Sequence, residues 1–254
     1  MLNIIGLGLR GVKSLTLEEF DVLKNSDIIY FETYTSVSPE NTLNYLNIIT
    51  GKKVIGADRN FMENTNGIIE NSSKKNVSLI VTGDALSATT HNEIREEALK
   101  NSIDVKIYEN ASIITAFVSK TGLFNYKFGQ IVSIPYIHEN FFPLSVYDKI
   151  YNNYENKMHT LLLLDLKDNK TMDPYSGIQI LSYMENKKNK NLINDNTKII
   201  IGTKIASTDE QIIYTDVGTA IKNKISGSPA SIILPSELND KEKEFINLFC
   251  KIML

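Results

Sequence analysis

The sequence has little of what marks secreted, nucleic-acid-binding or membrane proteins. Cys250 is the only cysteine among 254 residues, so no internal disulfide can form and no oxidising compartment is indicated. The 27 basic and 30 acidic residues leave a net charge of −3, which predicts no direct nucleic-acid partner. No apolar run approaches the ~20 residues that span a bilayer, and the apolar N-terminus lacks the basic leader of a signal peptide. We expect a cytoplasmic protein without membrane contact and without a metal site.

Short apolar runs that alternate with helical patterns dominate what is present. Such runs, which predict strands, occur at 2–6, 28–31, 77–81, 105–108, 131–134, 160–166, 198–201 and 231–234. This alternation favours an α/β fold with mostly parallel or mixed sheets. A glycine-bearing segment at 119–129 predicts a linker between an N-terminal α/β domain at 1–118 and a C-terminal α/β domain at 130–254, with a cofactor cleft between them.

Several helix boundaries can be predicted from capping residues and apolar periodicity. The predicted helices cover 15–24, 92–100, 174–185 and 239–253. Ser14, Asn92 and Asp173 are their predicted N-caps, and Pro174 stands at the preferred first helical position after Asp173.

The glycines after the first strand match a nucleotide-binding pattern. Gly6–Gly11 follows G-x-G-x-x-G, and Glu32 ends the second strand where such a site binds a ribose hydroxyl. A pyrophosphate site needs a helix that opens at the glycines, because the helix amides face the phosphates. Residues 12–14 intervene here, so we favour a ligand without phosphates, with Leu9 as an apolar wall. A tight turn that only needs the backbone freedom of glycine is the alternative.

The stretch from Val81 to His91 places one carboxylate and four hydroxyls directly after a strand. In open α/β sheets, ligands bind at this carboxyl edge. Asp84 is suited to accept a hydrogen bond from an ammonium or a ribose hydroxyl, and Ser87 to orient a polar group. The alternative is that Asp84 only caps its own turn, and these residues alone leave both interpretations open. We expect His91 to face solvent at the start of the next helix.

These two stretches and others along nearly the whole chain resemble the diphthine synthases, a family in the tetrapyrrole-methylase-like group of S-adenosylmethionine enzymes. The opening IGLGLRGVKSLTLEEFDVLKNSDIIYFETYTS is similar to the family's opening, including its E-x-Y-T-S ending at 32–36. GDALSATTH at 83–91 is similar to the family's GDPLxATTH, with Ala85 in place of the usual proline. Further similarity lies in ASI at 111–113, YKFG at 126–129 and HTLLLLDLK at 159–167.

The resemblance implies a methyltransferase that uses S-adenosylmethionine and releases S-adenosylhomocysteine. It implies methylation of the amino group of a 3-amino-3-carboxypropyl-histidine on elongation factor 2, which gives diphthine in diphthamide biosynthesis, by a homodimeric enzyme. The cofactor contacts that it implies are Leu9, Asp84, Ser87, Ser112, Ile113, Leu164, Ile205 and Ala230. No residue is indicated as a dedicated general base, and the resemblance leaves open how many methyl groups are transferred and whether the carboxylate is also methylated.

Two alternatives remain at this point. A methylase of corrin or porphyrin precursors would bind polycarboxylates through clustered arginines, whereas this chain has only Arg10, Arg59 and Arg95. A Rossmann-type nucleotide-binding protein without catalysis would use the Gly6–Gly11 loop and bind nicotinamide or adenine nucleotides.

Overall fold

Two sheets, each with its own hydrophobic core, divide the chain into two units. The computed structural model describes residues 1–138, 142–167 and 170–254. The units are Met1–Ile113 and Ile114–Leu254, so the division falls before the predicted domain end at residue 118. The segment 119–129, predicted as a linker, lies within the second unit. Both units combine helices with a sheet, as predicted.

The first unit is built on a five-stranded parallel sheet. Its strands are β1 (Leu2–Gly6), β2 (Ile28–Glu32), β3 (Val54–Ala57), β4 (Val77–Val81) and β5 (Val105–Tyr108). Its helices are α1 (Leu17–Asn25), α2 (Thr42–Thr50), α3 (Arg59–Glu63), α4 (Asn66–Lys74) and α5 (Asn92–Lys100). The strand order is β3-β2-β4-β1-β5. β1 and β4 are buried along their whole length, as expected for parallel strands covered on both faces.

The common direction of these strands positions the candidate site. Their carboxyl ends lie at one edge of the sheet, so the loops after β4, β1 and β5 emerge side by side. The loops after β2 and β3 emerge at the same edge, beyond β4.

The second unit contains a six-stranded mixed sheet. The strands of this sheet are β6 (Val132–Ile134), β7 (Thr160–Leu164), β10 (Lys198–Thr203), β11 (Gln211–Asp216), β12 (Ala230–Leu234) and β13 (Lys251–Ile252). A separate two-stranded ribbon is formed by β8 (Leu166–Lys167) and β9 (Lys170–Thr171). The helices are α6 (Ile113–Thr121), which begins at the last residue of the first unit, α7 (Leu144–Glu155), α8 (Pro174–Lys188), α9 (Val217–Lys222) and α10 (Asp240–Phe249). The order is β13-β11-β10-β12-β7-β6, with antiparallel pairs at β10–β11, β10–β12 and β12–β7.

The prediction of Ser14 as the N-cap of the first long helix is wrong. A turn of 3-10 helix occupies Gly11–Ser14, and α1 begins at Leu17. Thr16 caps it: its hydroxyl accepts from the amide of Glu19 at 3.2 Å, and the Glu19 carboxylate accepts from the amide of Thr16 at 2.6 Å. This reciprocal capping box satisfies two amides that Ser14 would have left open.

Other helix ends were predicted with mixed success. Asp173 does cap α8, since its carboxylate accepts from the amide of Ser176 at 2.7 Å. The helix predicted over 239–253 is too long, because the chain turns extended at Cys250 and Lys251–Ile252 pairs with β11. Strand pairing here overrides a helical apolar pattern.

A buried charge network holds the YKFG segment against α10. The Glu242 side chain is fully buried, with Lys127 Nζ 2.5 Å from Oε2 and His159 Nε2 3.0 Å from Oε1. The amide of Ser236 donates to His159 Nδ1 at 2.9 Å, so the ring proton is on Nε2 and His159 donates to the carboxylate as a neutral imidazole. Burial raises the pKa of Glu242, but hydrogen bonds from Lys127, His159 and backbone amides outweigh burial and hold it at about 2.

We expect this network to make the protein acid-sensitive. A carboxyl whose pKa is depressed in the folded state adds stability above its unfolded pKa, and the contribution is lost as the pH falls through the folded value. Stability should therefore fall between pH 4.5 and pH 2 by about 2 kcal/mol through Glu242. Urea unfolding across that range should show the full loss in the wild type and in Glu244→Gln, an exposed control on α10. In Glu242→Gln the loss should be smaller by about 2 kcal/mol. An undiminished loss in Glu242→Gln would contradict this assignment.

Candidate functional site

The glycine loop and the loop after β4 are hydrogen-bonded to each other. The amide of Gly8 donates to the carbonyl of Gly83, and the amide of Gly83 to the carbonyl of Gly8, both at 2.9 Å. Both glycines have positive φ, +65° and +79°, a conformation that side chains disfavour. The two stretches singled out in the sequence therefore converge at one point of the sheet edge.

Two amides of the glycine loop are used within the protein. The amide of Gly8 is taken by Gly83, and the amide of Arg10 donates to the Ser14 hydroxyl at 3.0 Å. The first turn of α1 is closed by its own capping box. A pyrophosphate needs such amides to point outwards, so these contacts disfavour the dinucleotide alternative.

Glu32 points towards its own turn. Its carboxylate accepts from the amides of Tyr34 and Thr35 and from the Thr35 hydroxyl. The side chain is 1% exposed. A carboxylate that is buried and bound in this way is not presented to a ribose hydroxyl, which also weighs against a dinucleotide.

Asn110, in the loop after β5, joins a third segment to the first two. Its Nδ2 donates to the carbonyls of Gly6 at 3.0 Å and of Ser14 at 3.1 Å. Its own amide donates to Asp84 Oδ2 at 3.3 Å. Asn110 was not predicted from the sequence, although its place directly beyond a strand at the carboxyl edge was a usable signal.

Asp84 closes its own turn, as the capping interpretation predicts, and also links two loops. Its Oδ1 accepts from the Ser87 hydroxyl at 2.6 Å and from the amide of Leu86 at 3.2 Å, which closes the turn. Its other oxygen bonds to Asn110 and so links two loops. A carboxylate has about four acceptor positions, so the half-buried Asp84 retains capacity for a ligand donor.

There is room for a methyl group beside Gly83. A methyl group added there would have Ala111 O at 3.9 Å and Leu9 Cδ2 at 4.0 Å as its nearest neighbours. The space is thus bordered by an apolar side chain and a carbonyl, and Asp84 follows Gly83 directly. Ser112 and Ile113 continue the chain from Ala111. Five predicted contacts, Leu9, Asp84, Ser87, Ser112 and Ile113, belong to these three joined loops.

The other three predicted contacts lie near one another within the second unit. Leu163 pairs with Ser231 and Thr203 pairs with Ala230, so Leu164 and Ala230 are neighbours on adjacent strands. Ile205 follows two residues after Thr203 and is flanked by Lys204 and Ala206, whose φ values are +50° and +72°. Such backbone strain often marks functional loops.

The prediction that His91 faces solvent is wrong. The side chain is 1% exposed, and its Nδ1 lies 3.0 Å from the carbonyl of Ala85. A carbonyl only accepts, so Nδ1 carries the proton. Nε2 is buried with no hydrogen-bond partner among the described residues. His91 also occupies the N-cap position predicted for Asn92, without a capping hydrogen bond from its side chain. It therefore anchors the loop after β4 from inside.

Two general properties bear on the chemistry. Within residues 1–138, 142–167 and 170–254, no helix has the length and apolar character to cross a membrane. The same residues contain no group of three or more His, Cys, Asp or Glu side chains placed to hold a metal ion.

Comparison with known proteins places the chain in a family. Residues 1–221 match the model of the tetrapyrrole (corrin/porphyrin) methylases. The diphthine synthase of Thermoplasma acidophilum is 39% identical over 249 residues, covering 98% of this chain and 95% of the relative. The diphthine synthase of Staphylothermus marinus is 38% identical over 259 residues, covering 98% and 94%.

Solved structures agree with these sequence matches. A structure from Entamoeba histolytica superimposes with a TM-score of 0.90 at 31% identity, covering 100% of this chain and 99% of that one. A diphthine synthase structure gives a TM-score of 0.89 at 26% identity, covering 99% and 96%. The chain belongs to the tetrapyrrole methylases and, within them, to the diphthine synthases.

Proposed function

We propose that this methyltransferase transfers methyl groups from S-adenosylmethionine to the amino group of 3-amino-3-carboxypropyl-histidine on elongation factor 2. The diphthine synthases that match it over nearly their whole length support this activity. The observation that carries the choice of cofactor is the mutual pairing of Gly8 and Gly83, which uses the Gly8 amide within the protein.

The joined loops suit a cofactor without phosphates. S-adenosylmethionine supplies an electrophilic methyl group on a sulfonium and presents an adenosine and an amino-acid zwitterion. Leu9 and Ile113 offer apolar contact, and Asp84 an acceptor for a ribose hydroxyl or the ammonium. The space beside Gly83, with neighbours no closer than 3.9 Å, admits a ligand atom close to the backbone. Leu164, Ile205 and Ala230 remain predicted cofactor contacts, each to be tested by substitution.

The chain's contribution to the reaction is chiefly positioning. Holding the methyl donor and the acceptor amine in line can lower the activation barrier by ~7–11 kcal/mol in well-oriented cases. The acceptor amine must be neutral to attack, and an α-amino group with a pKa of ~8 loses its proton readily near neutral pH. We assign no dedicated base. We further propose that the protein is cytoplasmic and forms a homodimer. Sedimentation analysis of the purified protein tests the homodimer.

Two measurements test the activity. Calorimetric titration should show binding of S-adenosylhomocysteine and none of NAD. Mass spectrometry of elongation factor 2 carrying the modified histidine should then show the added mass of one or more methyl groups after incubation with enzyme and S-adenosylmethionine. Binding of NAD alone would overturn the cofactor assignment. Cofactor binding without methylation of this acceptor, but with methylation of a corrin or porphyrin precursor, would overturn the substrate assignment.

Asp84→Ala should weaken binding of S-adenosylhomocysteine by about 1–3 kcal/mol, because a half-buried acceptor for the ligand is lost. Asp84→Asn should lose less, since the amide oxygen can still accept from Ser87 and hold the turn. Calorimetry on both variants gives the comparison. An affinity equal to that of the wild type in both would return Asp84 to a purely structural role in the turn.

A further inference from the structure

Three side chains from neighbouring loops meet on the β2–β3 side of the carboxyl edge. Tyr34 follows β2, Arg59 follows β3 and Thr90 lies in the loop after β4. The guanidinium carbon of Arg59 stands 5.7 Å from the centre of the Tyr34 ring. The Thr90 side chain lies close enough to the Tyr34 hydroxyl to act on its pKa, which it lowers. The proposed cofactor contacts do not use any of the three.

This cluster adjoins the proposed cofactor site through a single loop. Thr90 and Asp84 belong to the same loop, which pairs with the glycine loop at Gly83. β2 lies next to β4, and β3 next to β2. Adjacent strands are about 4.8 Å apart, so the backbone of Arg59 lies about 10 Å from the line of β4. The cluster therefore lies at the same sheet edge as the loop that carries Asp84.

The chemistry of the cluster is suited to a carboxylate. A guanidinium binds carboxylates through paired N–H donors, and the Arg59 side chain is 60% exposed. Burial, followed by the charge of Glu32, raises the pKa of Tyr34, so its hydroxyl keeps its proton at neutral pH. Thr90 acts on this pKa in the opposite direction, but burial has the larger effect.

We propose that Arg59 and Tyr34 form a subsite for the carboxylate of the acceptor's 3-amino-3-carboxypropyl group. This inference rests on the proposed function. The acceptor amine loses N–H donors with each methyl group it gains, so the enzyme cannot hold the acceptor by that amine throughout. The carboxylate on the same carbon keeps its charge and geometry, and binding it fixes where the amine lies.

Glu63 provides the means to separate this role from a structural one. It pairs with Arg59 Nε at 3.1 Å, four residues further along the chain. In a merely structural pair, removing either partner has a similar small effect. If Arg59 binds the acceptor carboxylate, Glu63 competes with the substrate, and the two substitutions act in opposite directions.

Steady-state methylation of elongation factor 2 carrying the modified histidine tests the subsite. Arg59→Gln should raise the KM for this acceptor at least tenfold and leave the KM for S-adenosylmethionine within twofold. Glu63→Gln should leave the acceptor KM unchanged or lower it. Arg95→Gln, on α5, is the charge-matched control and should resemble the wild type. Elongation factor 2 with an unmodified histidine, used as a competitive inhibitor, should bind wild type and Arg59→Gln equally.

Each other outcome has a defined meaning. Equal rises in acceptor KM for Arg59→Gln and Glu63→Gln would overturn the subsite in favour of a structural pair. A parallel loss of affinity for unmodified elongation factor 2 would overturn it in favour of contact with the protein surface of the substrate. A wild type that binds the cofactor but does not methylate this acceptor would contradict the proposed function itself, and the subsite with it.

Discussion

Gly8→Ala should weaken binding of S-adenosylhomocysteine at least 100-fold, or about 3 kcal/mol. The new Cβ would stand 2.6 Å from both Asn110 Oδ1 and Ser14 Cβ, well inside contact distance. Neither neighbour can retreat freely, because the Asn110 side chain also bonds to the carbonyls of Gly6 and Ser14. The loops that carry Leu9 and Asp84 would have to separate, and the proposed cofactor site would lose its shape.

Gly51→Ala is the matched control for this prediction. Gly51 ends α2 with φ +67°, close to the +65° of Gly8, but an added Cβ would meet nothing within 4 Å. Alanine there should cost only the conformational strain of about 1–2 kcal/mol in folding stability and should leave cofactor affinity unchanged. Calorimetry and urea unfolding on both variants give the comparison. Equal affinities in the two variants would show that the crowding at Gly8 is irrelevant to binding.

Glu185→Gln should lower the free energy of unfolding by about 3–5 kcal/mol. The carboxylate, in the last turns of α8, accepts from the Tyr147 hydroxyl at 2.6 Å and from four backbone amides. Those amides, at 2.8 to 2.9 Å, belong to Lys190, Asn191, Leu192 and Ile193. Glutamine at this position keeps only one acceptor oxygen. Its own NH2 group faces the remaining backbone N–H groups, so those buried donors are left without an acceptor.

Two further variants calibrate this effect in urea unfolding at pH 7. Tyr147→Phe removes a single donor and leaves the amides satisfied, so about 1 kcal/mol should be lost. Glu96→Gln removes an exposed pair with Lys100 at 2.8 Å and should leave the free energy of unfolding close to that of the wild type. A loss in Glu185→Gln as small as that of Glu96→Gln would contradict the assigned role.

The fold class was predictable because strand and helix patterns alternate so regularly. The continuous apolar runs of β1 and β4 predict strands buried on both faces, as the structure has them. α2 was missed because it lacks a side-chain cap and begins after Asn41 in a left-handed conformation. β11 was missed because its residues are half polar and its pairing with β10 is non-local.

The candidate site was predictable where a side chain acts within its own loop. Asp84 follows a strand directly and bonds to Ser87, three residues on. Asn110 was missed because its partner at Gly6 lies more than a hundred residues away in the chain. The burial of His91 depends on how its loop folds back onto Ala85, which no local pattern encodes.

The capping box at the start of α1 bears on how chains of this kind should be sorted. The glycine pattern of Gly6–Gly11 alone would place this chain among proteins that bind redox nucleotides. What decides its chemistry is the register of the helix behind it, set by Thr16 and Glu19. A chain with the same glycines but a helix opening at the third of them would present free amides to an anion. Searches for such motifs should therefore give the position at which the following helix begins as much weight as the glycines themselves.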